Sequence, residues 1–277
     1  MNHNFLSNDL GLGTWQANPD SYDISKTIYQ AIKIGYRYFD CAYNYHNEKN
    51  VGKGFKRAFD EGIVTRDELF IIGKATSISQ FDESLTNLGI QKFNLALYHL
   101  YHEPNNFDLM IELKQQGKTD YIGVSNIYIN KLTTLLEYCE TNNKEKPVVI
   151  ENEINFFDPI PELVDFCANQ GIKTIAYSPL GQQGLNYILE NDYLQRLAEK
   201  YQITIPQLLL VWSIKRGNIP IPASTNLQRL RENFDTIELS HNQSILTLEE
   251  IQEINSNTFG NPIIDTAFNA KEMDKFL

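Results

Sequence analysis

The sequence predicts an α/β fold, a (β/α)8 barrel with its active site at the C-terminal ends of the strands, and three observations predict it. Eight short apolar runs alternate with stretches whose apolar residues recur at helical spacing. The runs are continuously apolar instead of alternating, as expected of strands covered on both faces. The chain of 277 residues carries no Pro/Gly/Ser-rich linker or composition break, and eight such units at this length close as one TIM barrel. A single domain over 1–277 is expected.

The elements follow in order. A first strand ends near Gly13. Ile24, Ile28, Ala31 and Ile32 mark a helix, with Asp20 or Ser21 as cap and Gly35 as stop. A strand is expected over 36–40, a helix over 51–58 and a strand over 69–74. Phe81, Leu85 and Leu88 lead to a stop at Gly89 and a strand over 93–99. A helix over 107–113, stopped by Gly117, precedes a strand over 119–124. Leu132, Leu135, Leu136 and Cys139 form the next stripe, before a strand over 147–152. The helix over 162–169 ends at Gly171, and a strand runs over 172–177. Helices over 194–201 and 206–215, a short strand over 218–222 and a helix over 227–234 complete the pattern. An open doubly wound sheet is the competing architecture. A dinucleotide site there uses Gly-x-Gly-x-x-Gly between strand and helix. Here Gly11 and Gly13 are followed by Gln16, which favours the barrel.

Composition narrows the function classes. Apolar residues make up 42% of the chain, enough for a large core and against disorder. The formal net charge is −11, which disfavours nucleic acid and anionic membrane surfaces but leaves room for a small anionic cofactor held by a local cluster of donors. Cys41, Cys139 and Cys167 are far apart and form no Cys-x-x-Cys pair, so neither a disulfide framework nor a zinc site is expected. His46, His99 and His102 lack a supporting ligand pattern, and no metal is expected. The first residues have neither a basic region nor an apolar core of signal-peptide length, and no apolar run approaches a membrane span. The expectation is a soluble, cytoplasmic protein. Nothing points to a protein partner.

Four residues carry the chemistry. Asp40 ends one apolar run, with Tyr45 just beyond it; Lys74 ends the next and His99 the one after. In a parallel barrel these ends converge. A carbonyl is reduced by a hydride on carbon and a proton on oxygen. A phenol can give that proton, but near pKa 10 it holds it firmly. Lys74 is the ammonium expected to lower the Tyr45 pKa, with Asp40 holding Lys74 charged and oriented. His99 would hydrogen-bond the substrate oxygen. His102, beside Pro104 and beyond the apolar run, is expected in a loop.

This pattern resembles the aldo-keto reductase family, and the likeness runs from Gly11 to about Phe234. It implies reduction of an aldehyde or ketone with hydride from a bound nicotinamide. By the same resemblance Gly13, Thr14 and Trp15 lie at the cofactor and substrate end of the first strand, while Ser125 and Asn126 hold the nicotinamide amide. In Asn152-Glu153, where the family generally has Asn-Gln, Glu153 is a departure. Tyr177 would stack on the nicotinamide, Ser178 and Leu180 would line the pyrophosphate path, and Ser224, Arg229 and Asn233 would hold the adenosine end. The family often has a lysine where this chain has Ala223. NADP(H) is therefore expected to be favoured by a narrowed margin, with NAD(H) possible. Leu100 stands where the family commonly has Trp after the active-site His, and implies a different or roomier pocket. Two other functions compete: a nucleotide-binding regulatory barrel with catalysis lost, and a lyase or isomerase using Lys74 as a Schiff base. The latter needs a lysine of depressed pKa, whereas Asp40 should raise it.

Overall fold

The structure, a computed structural model, describes residues 9–15 and 22–256. The strands are β1 (Leu12–Gly13), β2 (Tyr38–Asp40), β3 (Phe70–Ala75), β4 (Phe93–Tyr98), β5 (Thr119–Ser125), β6 (Val149–Glu153), β7 (Lys173–Tyr177) and β8 (Asn218–Pro220). They pair in parallel in chain order. The Gly11 and Gly13 amides donate to the carbonyls of Pro220 and Pro222 at 3.0 and 3.1 Å, which brings the last strand back to the first and closes the barrel. A Cβ at Gly13 would stand 2.8 Å from the Ile221 carbonyl oxygen, so the seam requires glycine there.

The helices are α1 (Ser25–Ile34), α2 (Glu48–Asp60), α3 (Ile78–Leu88), α4 (Asp108–Gln115), α5 (Ile129–Thr141), α6 (Pro161–Asn169), α7 (Leu185–Leu189), α8 (Asp192–Tyr201), α9 (Ile205–Lys215), α10 (Leu227–His241) and α11 (Leu248–Asn255). The stops at Gly35 and Gly89 are found as expected, Gly89 in the left-handed conformation. Asp20 and Ser21, expected to cap α1, lie outside the described residues. Within them the Asp23 carboxylate accepts from the Ser25 amide at 3.0 Å. The strand expected over 36–40 begins only at Tyr38, because the Tyr36 amide still closes the end of α1 on the Ala31 carbonyl at 3.0 Å.

Strand parity separates two cores. Phe39, Ile71, Ala96 and Ile150 face outward and pack with Ile28, Phe55 and Phe81 beneath the helices. Tyr38, Phe70, Ile72, Leu95, Leu97, Val149, Ile175 and Ile219 fill the lumen. Side chains two residues further along a strand share the same face. Asp40, Lys74, His99, Glu151 and Tyr177 therefore form the next layer, toward the strand C-termini.

The segment after His241, for which the sequence suggested no element, forms α11. Thr247 and Glu250 build a capping box at its start. The Trp212 indole donates to Asn255 Oδ1 at 3.0 Å, and Ile254 joins the buried cluster of α9. Among the described residues no helix is long and apolar enough to cross a membrane.

Candidate active site

β2 ends at Asp40, and a 3₁₀ turn over Tyr43–Tyr45 folds the chain back across the strand end, its Tyr45 amide bonded to the Ala42 carbonyl at 3.0 Å. The turn sets the Tyr45 hydroxyl 3.4 Å from Asp40 Oδ2. The same oxygen accepts from Lys74 Nζ at 2.8 Å. Both ionic partners are almost fully buried. From β4, the His99 ring meets the Tyr45 ring edge-on, with centroids 5.9 Å apart. The four residues expected to act together are brought together.

Two electrostatic details refine the expectation. Burial first, and then the Asp40 charge, push the Tyr45 phenol well above its ordinary value, with Lys74 opposing them. Lys74 lowers the phenol as expected, but desolvation outweighs the ammonium and the net shift is upward. Burial and the Lys74 charge hold His99 down at about 3, so it is a neutral imidazole at physiological pH. Its Nδ1 is buried with no partner among the described residues.

Lys74 has a second carboxylate. Glu151 Oε1 lies 2.5 Å from its Nζ, and Glu151 is as buried as Lys74 itself. Sequence reasoning passed over this residue. The available signal was parity: Glu151 lies two residues beyond Val149, which faces the lumen, whereas Asn152 must face the other way. Asn152 indeed turns outward and pairs with the Ile127 backbone, its Nδ2 donating to the carbonyl at 2.9 Å. Asn152 and Glu153 therefore do not act as an adjacent pair. Glu153 is half-buried, accepts from Asn155 Nδ2 at 3.1 Å, and is pushed by burial up to about 7.

The residues expected at the nicotinamide form a connected group. The Tyr177 hydroxyl donates to Asn126 Oδ1 at 2.8 Å, while Asn126 Nδ2 reaches the His99 carbonyl (2.9 Å) and Ser125 Oγ (3.1 Å). Asn126 has a positive φ of 63°, a conformation asparagine tolerates better than most residues. At the end of β1, Thr14 is fully buried, and its hydroxyl donates to the Asp40 carbonyl at 2.8 Å, fastening β1 to β2. Trp15 beside it is exposed. The Ser178 hydroxyl contacts the Gln182 side chain, and Leu180 packs against the outer core.

Ser224, Arg229 and Asn233 gather where β8 passes into α10. Ser224 Oγ accepts from the Asn226 amide at 3.1 Å, and Asn226 caps α10 through the Arg229 amide, also at 3.1 Å. The Arg229 side chain is exposed with no ion pair among the described residues, while Asn233, one turn on, is buried. A guanidinium with no ion pair among the described residues and a nearby hydroxyl at a helix start are the donor set a phosphate requires. A neutral imidazole, a phenol and an amide at the barrel mouth suit a carboxamide and a carbonyl. The residues present fit a nicotinamide dinucleotide phosphate.

Comparison with known proteins agrees with this chemistry. The model of the Aldo/keto reductase family matches residues 9–256. An aldo-keto reductase of Bombyx mori is 33% identical, the match covering 92% of this chain and 89% of that protein. The NADPH-dependent D-xylose reductase of Meyerozyma guilliermondii is 32% identical over 92% of each chain. The crystal structure of the Bombyx mori enzyme in complex with NADP superposes with a TM-score of 0.81 at 29% identity, covering 96% of this chain and 92% of that one.

Proposed function

The chain belongs to the aldo/keto reductase family, whose members reduce aldehydes or ketones with a nicotinamide cofactor, and from that premise we propose which of its residues carry the reduction. Tyr45 gives its proton to the carbonyl oxygen. His99, neutral, hydrogen-bonds that oxygen and fixes its position. Lys74 stabilises the phenolate that Tyr45 becomes, and Asp40 holds Lys74. The observation that carries this reading is the convergence of the four side chains from three strand ends, with Lys74 and Tyr45 both on one oxygen of Asp40.

The phenol, raised by burial and Asp40, stays protonated over the physiological range. Proton transfer then becomes favourable as negative charge develops on the substrate oxygen, next to a buried ammonium. When bound, the cofactor supplies the hydride to the carbonyl carbon. Asn126, Ser125, Tyr177 and Glu153 would hold its nicotinamide end, with Gly13, Thr14 and Trp15 at the neighbouring strand end. Ser178 and Leu180 would line its pyrophosphate, and Ser224, Arg229 and Asn233 would hold its adenosine end. NADP(H) is favoured and NAD(H) usable, in keeping with the NADPH-dependent relative and the one solved with NADP. The chain works as one barrel domain on a small carbonyl substrate, in the cytoplasm.

A panel of aldehydes and ketones, followed at the nicotinamide absorbance with each reduced cofactor, tests the reading. Turnover with NADPH is expected for at least one class. Tight cofactor binding with no turnover across the panel would favour the silent, nucleotide-binding barrel instead.

A further inference from the structure

Glu151 stands in the lumen layer, assigned to nothing by the motifs of the chain. It comes from β6, across the barrel from Asp40 on β2, and the Lys74 ammonium lies between them, 2.8 Å from Asp40 Oδ2 and 2.5 Å from Glu151 Oε1. Both carboxyl groups reach the same ammonium, and the Asp40 charge acts on Glu151. Their remaining oxygens, Asp40 Oδ1 and Glu151 Oε2, are buried with no donor among the described residues. Two ionised carboxylates cannot satisfy each other, since each only accepts. Fully ionised, the trio would also carry a net negative charge in a lumen floored by Ile72, Leu97 and Val149. A single proton neutralises the trio and turns one of two mutual acceptors into a donor.

We propose that Glu151 is a positioning residue of the reduction: with Asp40 it shares one proton across Lys74, and that proton keeps the charge beside Tyr45 neutral. This rests on the reading of Tyr45 as the acid. Other groups face the trio from each neighbouring element. They are Tyr38 on β2, Tyr45 in the turn, His99 after β4 and Tyr177 on β7, with Glu153 two residues further along β6. Lys74 alone among them brings a positive charge, and it is already shared. Burial raises both carboxyls, Glu151 up to about 8, so the pair keeps its proton at neutral pH. Above that, the trio becomes anionic. The Glu151 charge then raises the Tyr45 phenol further and disfavours the phenolate that proton donation leaves behind.

The test is infrared difference spectroscopy of the full chain from about pH 6 to about pH 10, paired with the pH profile of kcat/KM for carbonyl reduction by NADPH. A carboxylic-acid carbonyl band should vanish with a midpoint near 8 and be missing from Glu151→Gln, a comparison that separates it from other buried carboxyls. The alkaline fall in kcat/KM should share that midpoint. In Glu151→Gln it should move up by at least about one unit, whatever the plateau rate. Identical spectra, or identical alkaline limbs, in the two proteins would overturn the proposal. Should Glu151→Gln not fold, Asp40→Asn reads the same pair from the other side: the band should be lost at lower pH, and an unmoved midpoint overturns the shared proton. A titrating band in wild type that turns over no carbonyl would remove the positioning role by removing the reductase reading, not the shared proton.

Discussion

Asp40 Oδ2 accepts from Lys74 at 2.8 Å and lies 3.4 Å from the Tyr45 hydroxyl, so a single oxygen orients both the ammonium and the phenol. Tyr45→Phe keeps the ring and its edge contact with His99 but removes the proton. It should cut kcat by about 10²–10⁴-fold and leave cofactor affinity nearly intact. Lys74→Met should do comparable damage to kcat and also lower stability, because two buried carboxylates lose their ammonium. Steady-state kinetics and cofactor titration on both variants check this. Near-normal turnover in Tyr45→Phe would remove Tyr45 from the role of acid.

Glu153 is expected to bias the two redox forms of the cofactor. Burial raises its carboxyl to about 7, so its charge appears as pH passes through neutrality. A negative charge favours the cationic, oxidised nicotinamide. Glu153→Gln should therefore weaken NADP⁺ relative to NADPH at about pH 9 and change the ratio little at about pH 5. Fluorescence titration of both forms at both pH values measures it. A ratio unmoved at the alkaline pH would mean that Glu153 faces away from the ring.

The adenosine end carries opposing signals. Ala223 removes one contact an ammonium would make, whereas Arg229 remains exposed and unpaired beside Ser224. NADPH should bind more tightly than NADH in the wild type. Arg229→Ala should cost NADPH about ten- to a hundredfold and NADH much less, because a guanidinium binds phosphate through two parallel N–H bonds. Ala223→Lys should tighten NADPH specifically. Paired titrations decide, and a wild type that prefers NADH would sink the assignment.

Glu48, buried in the first turn of α2, makes stability depend on pH. Burial raises its carboxyl from 4.5 to about 7. The folded state then holds the proton more tightly than the unfolded chain does. The stabilisation this gives is complete below 4.5 and is lost as pH rises through about 7. Glu48→Gln, which cannot ionise, should gain on the order of 3 kcal/mol relative to wild type at about pH 9 and far less at about pH 4. Denaturant melts at the two pH values provide the comparison, and an equal effect at both would show that Glu48 ionises freely in the folded state.

The eight-strand barrel was legible because the strands are short apolar runs and the helices spaced stripes, several with a glycine stop. Asp40, Lys74 and His99 were legible because they interrupt or end those runs. α11 was not, since its hold on the fold is a long-range contact, Trp212 to Asn255, that no local pattern announces. The bond of the Thr14 hydroxyl to the Asp40 carbonyl was hidden for a similar reason. Whether a hydroxyl faces a ligand or a neighbouring strand depends on the β1–β2 register, which pairs Gly13 with Asp40.

The sequence by itself determined the order of elements and the polar residues that end the strands, Asp40, Lys74 and His99 among them, because apolar periodicity and polar interruption are local properties of the chain. Only the tertiary structure decided that Glu151 shares Lys74 with Asp40, and that Tyr45 is held above an ordinary phenol instead of below it. Both depend on distances across the lumen and on how completely water is excluded from it. Neither quantity exists until the barrel closes.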